Sequence, residues 1–353
     1  MRVLLTGGAG FIGQHLARRL VAEGHEVTAL DALLPQVHLD PQASRRGFPG
    51  RVIVADVTDE DAWAAVPGSD AVVHLAAETG TGQSMYETHR YELVNVEGTR
   101  LAGRAARRWG APVVSMSSRA VYGEGRYACA EHGTAFGGRC CDAAAPAPST
   151  EADEHRPVSV YGQTKSRAER VLVDEVAGAV PVVSVRPQNV VGPGQALHNP
   201  YTGVLAAWLA MLREGRPLTV YGDGLQTRDL VHVTDVAAVL AWLVAAPPPA
   251  GAPLALNVGS GERTTLTALA AYAISGAPVP SPGITHLDVH RAGDITHACA
   301  DLTLLDELGA PHPRWSTADA VGDFVSWSWD KPGAAAQAWD AALGELADRG
   351  LVT

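Results

Sequence analysis

The sequence predicts an α/β fold built on a doubly wound parallel sheet, with a smaller second domain toward the C-terminus. Short apolar runs rich in β-branched residues alternate with stretches of helical periodicity, a pattern typical of strands buried on both faces of a sheet. A glycine-rich turn separates the first run from the first helical stretch. Beyond residue 186 glycine and proline turns become frequent and the predicted elements shorten, which indicates the second domain.

The predicted elements follow one another in regular order. Strands are expected at 2–5, 26–30, 51–55, 71–75, 112–117, 181–186 and 254–258. Helices are expected at 14–23, 92–109, 165–177, 203–214 and 235–246. The last helix and the last strand should return to the first sheet, so the second domain is expected to be discontinuous. The connection at 127–157 is longer than most loops of compact domains, and we expect it to be functional or disordered.

Composition and charge exclude several classes of protein. The chain has 27 basic and 38 acidic residues, a net charge of −11, which argues against binding to nucleic acid or to anionic membranes. The longest apolar run, near residues 236–246, ends at three prolines and is too short to span a bilayer. The N-terminus does not resemble a signal peptide, and four cysteines are too few for a disulfide scaffold. We therefore expect a cytoplasmic protein with reduced thiols.

Residues 6–13, TGGAGFIG, lie between the first strand and the first helix, where a dinucleotide-binding loop is found. Gly7 would permit the turn, Gly10 would let the backbone approach a pyrophosphate, and Gly13 would allow close helix packing. The spacing is G-x-x-G-x-x-G rather than G-x-G-x-x-G, so an ordinary glycine turn is the alternative. Asp31 ends the second strand, where a carboxylate binds the ribose 2′-hydroxyl and repels a 2′-phosphate. NAD is therefore predicted over NADP.

These observations predict how the two domains divide the chain. A Rossmann-type NAD-binding domain is expected over residues 1–186, rejoined by about 229–260. The substrate domain is expected to consist of residues 187–228 and 261–353.

A second group of residues suggests acid–base chemistry. Lys165, one of only two lysines in the chain, lies four residues after Tyr161, so the two share a face of a helix. An ammonium there would lower the pKa of the phenol, which could then act as a general base. Ser118 follows the fifth predicted strand, at the sheet edge where ligands bind in such folds. A surface Tyr/Lys pair and an ordinary loop serine are the alternatives.

Together these motifs resemble the extended short-chain dehydrogenase/reductase family, and within it the nucleotide-sugar epimerases and dehydratases. The resemblance covers nearly the whole chain. The matching stretches are TGGAGFIG, Asp31, Asp56-Val57, HLAA at 74–77, NVEGT at 95–99, SSRAVYG at 117–123, YGQTK at 161–165, RPQNVVGPG at 186–194, YGDGLQTRDLVHVTDVA at 221–237, NVGSG at 257–261 and RAGDITHACAD at 291–301.

The resemblance implies roles for individual residues. The implied catalytic residues are Ser118, Tyr161 and Lys165. The residues implied to bind or support the NAD site are Gly7, Gly10, Phe11, Ile12, Gly13, Asp31, Asp56, Val57, Leu75, Ala76, Ala77, Asn95, Tyr161 and Lys165. The residues implied to surround the sugar nucleotide are Ser118, Asn189, Arg228 and Arg291, the two arginines on its diphosphate. An ion pair between Arg291 and Asp294 is the structural alternative for that arginine.

The family's 4,6-dehydratases carry an Asp-Glu pair just after the catalytic Ser or Thr, and its decarboxylating members need a carboxylate there. This chain has Arg119 and Ala120 at those positions, which favours 4-epimerisation. In that reaction the sugar is transiently oxidised at C4 with tightly bound NAD. The alternatives are an NAD-dependent nucleotide-sugar reductase or dehydrogenase and a catalytically silent binding protein. Relatives often pair through two helices, here 92–109 and 165–177, so a homodimer is expected.

A finer resemblance is to bacterial dTDP-L-rhamnose 4-epimerase-like proteins. It rests on ETGTGQSMYE (78–87), SSRAVYGEGRY (117–127), GPGQALHNPYTGV (192–204) and RGLV (349–352), and it implies dTDP-L-rhamnose or a related dTDP- or UDP-sugar as substrate. Such relatives also carry cysteines after YGEGRY in a zinc-ribbon-like pattern. Here Cys129 and His132 keep one half, but Cys140 and Cys141 lack the C-x-x-C spacing of the other. A metal-free loop is the simpler interpretation, and no metal is predicted.

Overall fold

A computed structural model describes residues 1–199, 203–289 and 291–352 of the chain. Residues 200–202, which belong to the stretch at 192–204 quoted above, lie outside the described residues. The strands are β1 (Arg2–Thr6), β2 (Glu26–Asp31), β3 (Arg51–Val54), β4 (Ala71–His74), β5 (Val113–Met116), β6 (Arg126–Cys129), β7 (Gly133–Phe136), β8 (Ala145–Ala147), β9 (Val182–Pro187), β10 (Asn189–Val191), β11 (Leu218–Tyr221), β12 (Thr227–Arg228), β13 (Leu230–His232), β14 (Leu254–Val258), β15 (Thr264–Thr265) and β16 (Ile284–Leu287). The α-helices are α1 (Phe11–Ala22), α2 (Pro41–Gly47), α3 (Glu60–Ala65), α4 (Thr81–Ser84), α5 (Thr88–Glu92), α6 (Gly98–Trp109), α7 (Val160–Val176), α8 (Val204–Arg213), α9 (Val233–Ala245), α10 (Leu266–Gly276), α11 (Thr303–Glu307), α12 (Thr317–Ser328) and α13 (Ala336–Asp348).

Seven strands form one parallel sheet in the order β14-β9-β5-β4-β1-β2-β3. Strands β4, β5 and β9 are buried along their whole length, as expected for strands covered on both faces. The strand order reverses between β1 and β4, and the crevice beyond the carboxyl ends of the strands at such a reversal is where ligands bind. The predicted doubly wound sheet is confirmed.

Separate apolar cores hold the helices on the sheet and fill the second lobe. On one face α1 packs with α9, through residues such as Leu16, Leu20 and Leu240. On the other face α6 and α7 pack against each other and the sheet, through Leu101 and Leu172. In the second lobe α8, α10, α12 and α13 enclose a third core. None of the described helices has the length and apolar character needed to cross a bilayer.

One edge of the parallel sheet is formed by β14, a strand from the later part of the chain. Strand β14 pairs with β9, and helix α9 packs on α1, so residues 233–258 return to the first sheet. The predicted strand at 254–258 has the observed bounds. The exact division into two domains, and the homodimer, stay predictions.

Two predicted helices have different bounds in the structure. Helix α7 begins at Val160 rather than at Lys165, because the Ser159 hydroxyl caps it by accepting from Gly162 N at 3.1 Å. Tyr161 therefore lies in its first turn. The helix predicted at 92–109 starts at Thr88 and includes a π-helical turn at Leu93–Glu97 between α5 and α6.

Part of the long predicted connection forms a small sheet rather than an irregular loop. Strand β6 pairs antiparallel with β7 on one side and β8 on the other, and we call residues 126–147 the ribbon. Its core consists of Tyr127, Cys129 and Ala144, with Ala135 and Cys141 packed against them. The strands have only three or four residues, too short for a clear alternating pattern in the sequence.

A buried ion pair fixes α7 to the sheet. The guanidinium of Arg186 on β9 forms two hydrogen bonds with the Glu169 carboxylate, Nε to Oε1 at 3.0 Å and Nη2 to Oε2 at 2.7 Å. The side chains are 6% and 11% exposed. Arg186 also donates to the hydroxyl of Tyr122 at 2.9 Å and to the carbonyl of Glu151 at 3.0 Å. Loss of either charged partner would leave the other buried and unpaired.

We expect Glu169→Gln to lower the free energy of unfolding by about 3–5 kcal/mol, because it leaves the Arg186 charge without its partner. Glu154→Gln is the matched control. Its carboxylate is 72% exposed and pairs with Arg156 at the surface, so we expect a loss of less than about 1 kcal/mol. Urea denaturation of both variants measures the difference. Equal stabilities would show that the ion pair does not hold α7 in place.

Candidate functional site

One cavity of about 1470 Å³ lies at the carboxyl edge of the sheet. Its walls come from the glycine turn, the ends of β4 and β5, helix α7, and segments of the second lobe near residues 187–230 and 286–297. Pockets for one small molecule commonly have about 300–1,000 Å³. The cavity therefore has room for two ligands side by side, one on the sheet and one against the second lobe.

The glycine turn leaves space that other residues would fill. Gly7 has a φ of +62°, and a Cβ on it would lie 2.8 Å from the amide nitrogen of Ala76. A Cβ on Gly13 would lie 2.4 Å from the carbonyl oxygen of Gly8. Gly10 precedes α1, and no side chain caps this helix, so its first N–H groups are free to bind a phosphate. These residues fit the pyrophosphate of a dinucleotide.

Asp31 connects the end of β2 to the glycine turn. Its carboxylate accepts from Ala9 N at 2.9 Å and from Leu33 N at 2.8 Å, and it lies 3.4 Å from His38 Nε2. Only 7% of the residue is exposed, yet it lines the cavity. The backbone donors hold the carboxylate in place while leaving acceptor capacity for a ribose hydroxyl.

Most residues predicted at the cofactor line this cavity. Those in its wall are Gly7, Gly10, Phe11, Ile12, Gly13, Asp31, Asp56, Val57, Leu75, Ala76, Ala77, Tyr161 and Lys165. Asn95 is different: it is fully buried in the π-helical turn and does not line the cavity. Its amide accepts from Glu78 N at 2.8 Å and donates to Thr164 Oγ1 at 3.0 Å. Asn95 therefore supports the wall and the first turns of α7 from behind.

Three side chains on one face of α7 meet three consecutive residues at the end of β5. Tyr161 forms a hydrogen bond with the Ser118 hydroxyl, and Lys165 Nζ donates to the carbonyl of Met116 at 2.8 Å. The Ser117 hydroxyl donates to the Glu169 carboxylate. The four-residue spacing of the helical side chains explains this match, since such residues follow one another along a helix face. The predicted Ser118, Tyr161 and Lys165 thus lie together at the cavity.

The predicted effect of Lys165 on Tyr161 is wrong in this structure. Burial raises the pKa of Tyr161, and the opposing effects of the Ser118 hydrogen bond and the Arg119 charge do not overcome it. Lys165 is buried as well, and burial lowers the pKa of its ammonium to about 8. Its hydrogen bond goes to the Met116 carbonyl rather than to the phenol. Arg119 is the cation that favours the phenolate.

Three of the predicted substrate residues, Asn189, Arg228 and Arg291, line the second-lobe side of the cavity, whereas Ser118 lines it at the end of β5. Arg228 donates to the carbonyls of Ile295 at 2.9 Å and Thr296 at 3.2 Å, and burial lowers the pKa of its guanidinium. Arg291 pairs with Asp294, with Nε and Nη2 at 3.0 and 2.9 Å from Oδ2. The alternative ion pair of Arg291 is therefore formed, although the residue still borders the cavity.

Sequence reasoning missed three residues that shape the site. Arg119 lines the cavity beside Ser118 and has no hydrogen-bond partner among the described residues; burial lowers its pKa to about 10, so it stays charged at neutral pH. Arg139 reaches the cavity from the ribbon. Glu169 anchors α7. Its position eight residues after Tyr161 is a signal in the sequence, whereas the placement of Arg139 requires the ribbon fold.

The cysteines left open by the sequence come together in the ribbon. The ligand atoms of Cys129, His132, Cys140 and Cys141 all lie within 4.8 Å of one another. The C-x-x-C spacing that Cys140 and Cys141 lack is therefore not needed to bring four metal-ligating groups to one point.

Comparisons with known proteins agree with this geometry. The profile described as "NAD dependent epimerase/dehydratase family" matches residues 3–259. The chain is 38% identical over 350 residues to dTDP-L-rhamnose 4-epimerase of Burkholderia thailandensis, covering 92% of this chain and 94% of that protein. It is 31% identical over 342 residues to UDP-glucose 4-epimerase of Mycolicibacterium smegmatis, covering 94% and 99%. The solved complex of Thermus thermophilus UDP-glucose 4-epimerase with NAD matches with a TM-score of 0.78 and 27% identity, covering 94% and 100%.

We expect Asp31→Ala to weaken NAD binding by about 10- to 100-fold, the scale for losing a hydrogen bond to a charged group. Rejection of NADP should also relax, because the repulsion of a 2′-phosphate disappears. Calorimetry with both dinucleotides measures the two effects. Asp59→Ala is the control, since Asp59 caps α3 and does not line the cavity. An unchanged preference between NAD and NADP would assign the selectivity to another residue.

Proposed function

The chain belongs to the NAD dependent epimerase/dehydratase family, and from that premise we propose that it is a nucleotide-sugar 4-epimerase acting on dTDP-L-rhamnose. The observation that carries the proposal is the reactive end of the cavity. Tyr161 and Ser118 share a hydrogen bond there, and the charged side chain acting on Tyr161 is Arg119 rather than a carboxylate. These side chains suit a reaction in which one proton is removed from one oxygen and later returned to it.

The cavity fits NAD, the cofactor of this enzyme family. The glycine turn and the N-terminus of α1 would hold the pyrophosphate, and Asp31 would hold the adenosine ribose. Asp56 and Val57 would flank the adenine. Lys165 lines the same wall beside Tyr161 and would hold the nicotinamide ribose. Bound NAD⁺ supplies a reversible hydride acceptor at the sugar carbon.

Tyr161 is the proposed base for the C4 hydroxyl of the sugar. Ser118 would hydrogen-bond the same oxygen, take up the C4 hydroxyl proton and give its own hydroxyl proton to the Tyr161 phenolate. The two side-chain hydroxyls already share a hydrogen bond along which this proton would move. The charge of Arg119 lowers the pKa of Tyr161 against the effect of burial. In an epimerisation the proton returns to the oxygen it left, so Tyr161 ends the cycle in its starting state and no second acid is required.

Other reactions of the family need groups that this position lacks. Elimination of water requires an acid and a base near the departing hydroxyl, and the two residues after Ser118 are Arg119 and Ala120. The charged group that shifts the pKa of Tyr161 is the cation Arg119 rather than a carboxylate. A reductase using NADPH is disfavoured by Asp31, whose carboxylate would repel a 2′-phosphate.

The proposed substrate rests on the Burkholderia thailandensis relative and on three arginines in the cavity wall. Arg119, Arg228 and Arg291 all line the cavity, so a diphosphate bound there would meet three guanidinium groups. The proposal is tested by incubating the purified protein with dTDP-L-rhamnose and no added reductant. Appearance of the C4 epimer by NMR supports it. Activity on UDP-glucose alone would overturn the substrate, and a requirement for stoichiometric NADH would indicate a reductase.

We expect Tyr161→Phe to reduce turnover by about 10²- to 10⁴-fold, because it removes the base and keeps the ring. The thermal midpoint and NAD affinity should stay close to those of the wild type. Tyr272→Phe is the matched control, because Tyr272 lies at the surface on α10, away from the cavity. Retention of more than about a tenth of the turnover by Tyr161→Phe would exclude Tyr161 as the base.

We expect Arg228→Ala and Arg291→Ala each to weaken dTDP binding by about 10- to 100-fold, the scale for charge-assisted hydrogen bonds to phosphate. NAD affinity should be unchanged. Arg216→Ala is the control, since Arg216 pairs with Asp340 at the surface. If Arg291→Ala lowers the thermal midpoint and leaves dTDP affinity unaltered, Arg291 serves only its ion pair with Asp294.

A further inference from the structure

Four metal-ligating side chains converge at one end of the ribbon. Cys129 ends β6, His132 lies in the turn before β7, and Cys140 and Cys141 lie in the connection from β7 to β8. The hairpin brings the first two together, because Cys129 pairs with Gly133 across the turn. The connection from β7 to β8 then brings Cys140 and Cys141 close to Cys129 and His132.

Three of the distances between the ligand atoms match those of a tetrahedral centre. Zn–S bonds of about 2.3 Å and Zn–N bonds of about 2.0 Å place tetrahedral ligand atoms about 3.5–3.8 Å apart. Cys129 Sγ lies 3.4 Å from His132 Nδ1 and 3.6 Å from Cys141 Sγ. Cys140 Sγ lies 3.8 Å from the same histidine nitrogen. The four ligand atoms, all within 4.8 Å of one another, are therefore close enough to share one zinc ion.

The ribbon has a small core of its own, so a further stabilising link would strengthen it. Three buried residues form that core, and strands of three or four residues make few backbone hydrogen bonds. Segments of this size in small proteins commonly depend on a metal or on disulfides. All four cysteines of the chain are free thiols, so no disulfide supplies the link.

We propose that Cys129, His132, Cys140 and Cys141 bind one structural zinc ion that holds the ribbon together. The ligand set is Cys₃His, with histidine bound through Nδ1, and all four positions are taken by protein, as in structural rather than catalytic zinc sites. Binding releases the thiol protons, since the thiolate is the ligand. This proposal does not depend on the identity of the sugar substrate.

The zinc site would order one wall of the cavity. Arg139, the residue before Cys140, lines the cavity, so a ligand at Cys140 fixes the chain next to this cation. Glu124, just before β6, accepts from Tyr127 Oη and from Thr296 N, both at 2.7 Å. The base of the ribbon is thereby bonded to the segment after Arg291 and Asp294. Metal loss should therefore weaken dTDP binding more than NAD binding.

The test measures metal in the full-length protein, freed of any affinity tag and dialysed against metal-free buffer. Mass spectrometry of the elements should find about one zinc per wild-type chain, as four ligands around one tetrahedral ion require. Cys140→Ser should lose most of it, because Cys140 is exposed and its replacement spares the ribbon core. Cys299→Ser is the matched control: Cys299 lies outside the cluster, and its zinc content should equal that of the wild type.

Cobalt provides a second measurement that does not depend on the variants folding. Co²⁺ exchanged into the wild type should give the visible bands of a tetrahedral thiolate centre, and Cys140→Ser should lose or shift them. Zinc removal should lower the thermal midpoint of the wild type and leave that of Cys140→Ser unchanged. Iron in place of zinc, a Cys129–Cys141 disulfide detected by thiol counting, or four reduced thiols without metal would each overturn the proposal.

Discussion

The buried ion pair between Glu169 and Arg186 is the interaction on which the reactive end of the cavity depends. Glu169, Lys165 and Tyr161 follow one another along one face of α7, so anchoring the first to β9 sets the positions of the other two. Lys165 then reaches the carbonyl of Met116, and Tyr161 reaches the hydroxyl of Ser118. The chemistry is thus aligned by contacts made one and two helical turns away from the phenol.

Four arginines line the cavity among carboxylates such as Asp223, Asp288 and Asp294. The chain carries a net charge of −11, yet Arg119, Arg139, Arg228 and Arg291 all line the cavity. Partial burial of Arg119 and Arg228 strengthens their attraction for phosphate, since less water screens them. The ribbon contributes one of the four and the second lobe two, so a diphosphate there would connect parts of the chain that the sheet alone does not join.

The sequence was sufficient to predict the sheet and most of the cavity wall, because both follow local rules. Buried parallel strands have continuous apolar runs, and the glycine turn must follow the first of them. The prediction from sequence was wrong or incomplete where several residues distant in the chain together determine a property. Tyr161 has its pKa raised because burial outweighs nearby charge. The ribbon was missed because its strands are very short and its cysteines meet only after two reversals of the chain.

Return of the C4 hydrogen to C4 without added dinucleotide distinguishes the proposed epimerase from the reductase and from the silent binding protein considered above. It is measured with dTDP-L-rhamnose that carries deuterium at C4, incubated with the purified protein in ordinary water without added dinucleotide. We expect the C4 epimer to form with its deuterium retained, because the same hydrogen leaves and returns while the cofactor stays bound. Exchange of the deuterium with solvent, or conversion only when NADH is supplied, would contradict this account.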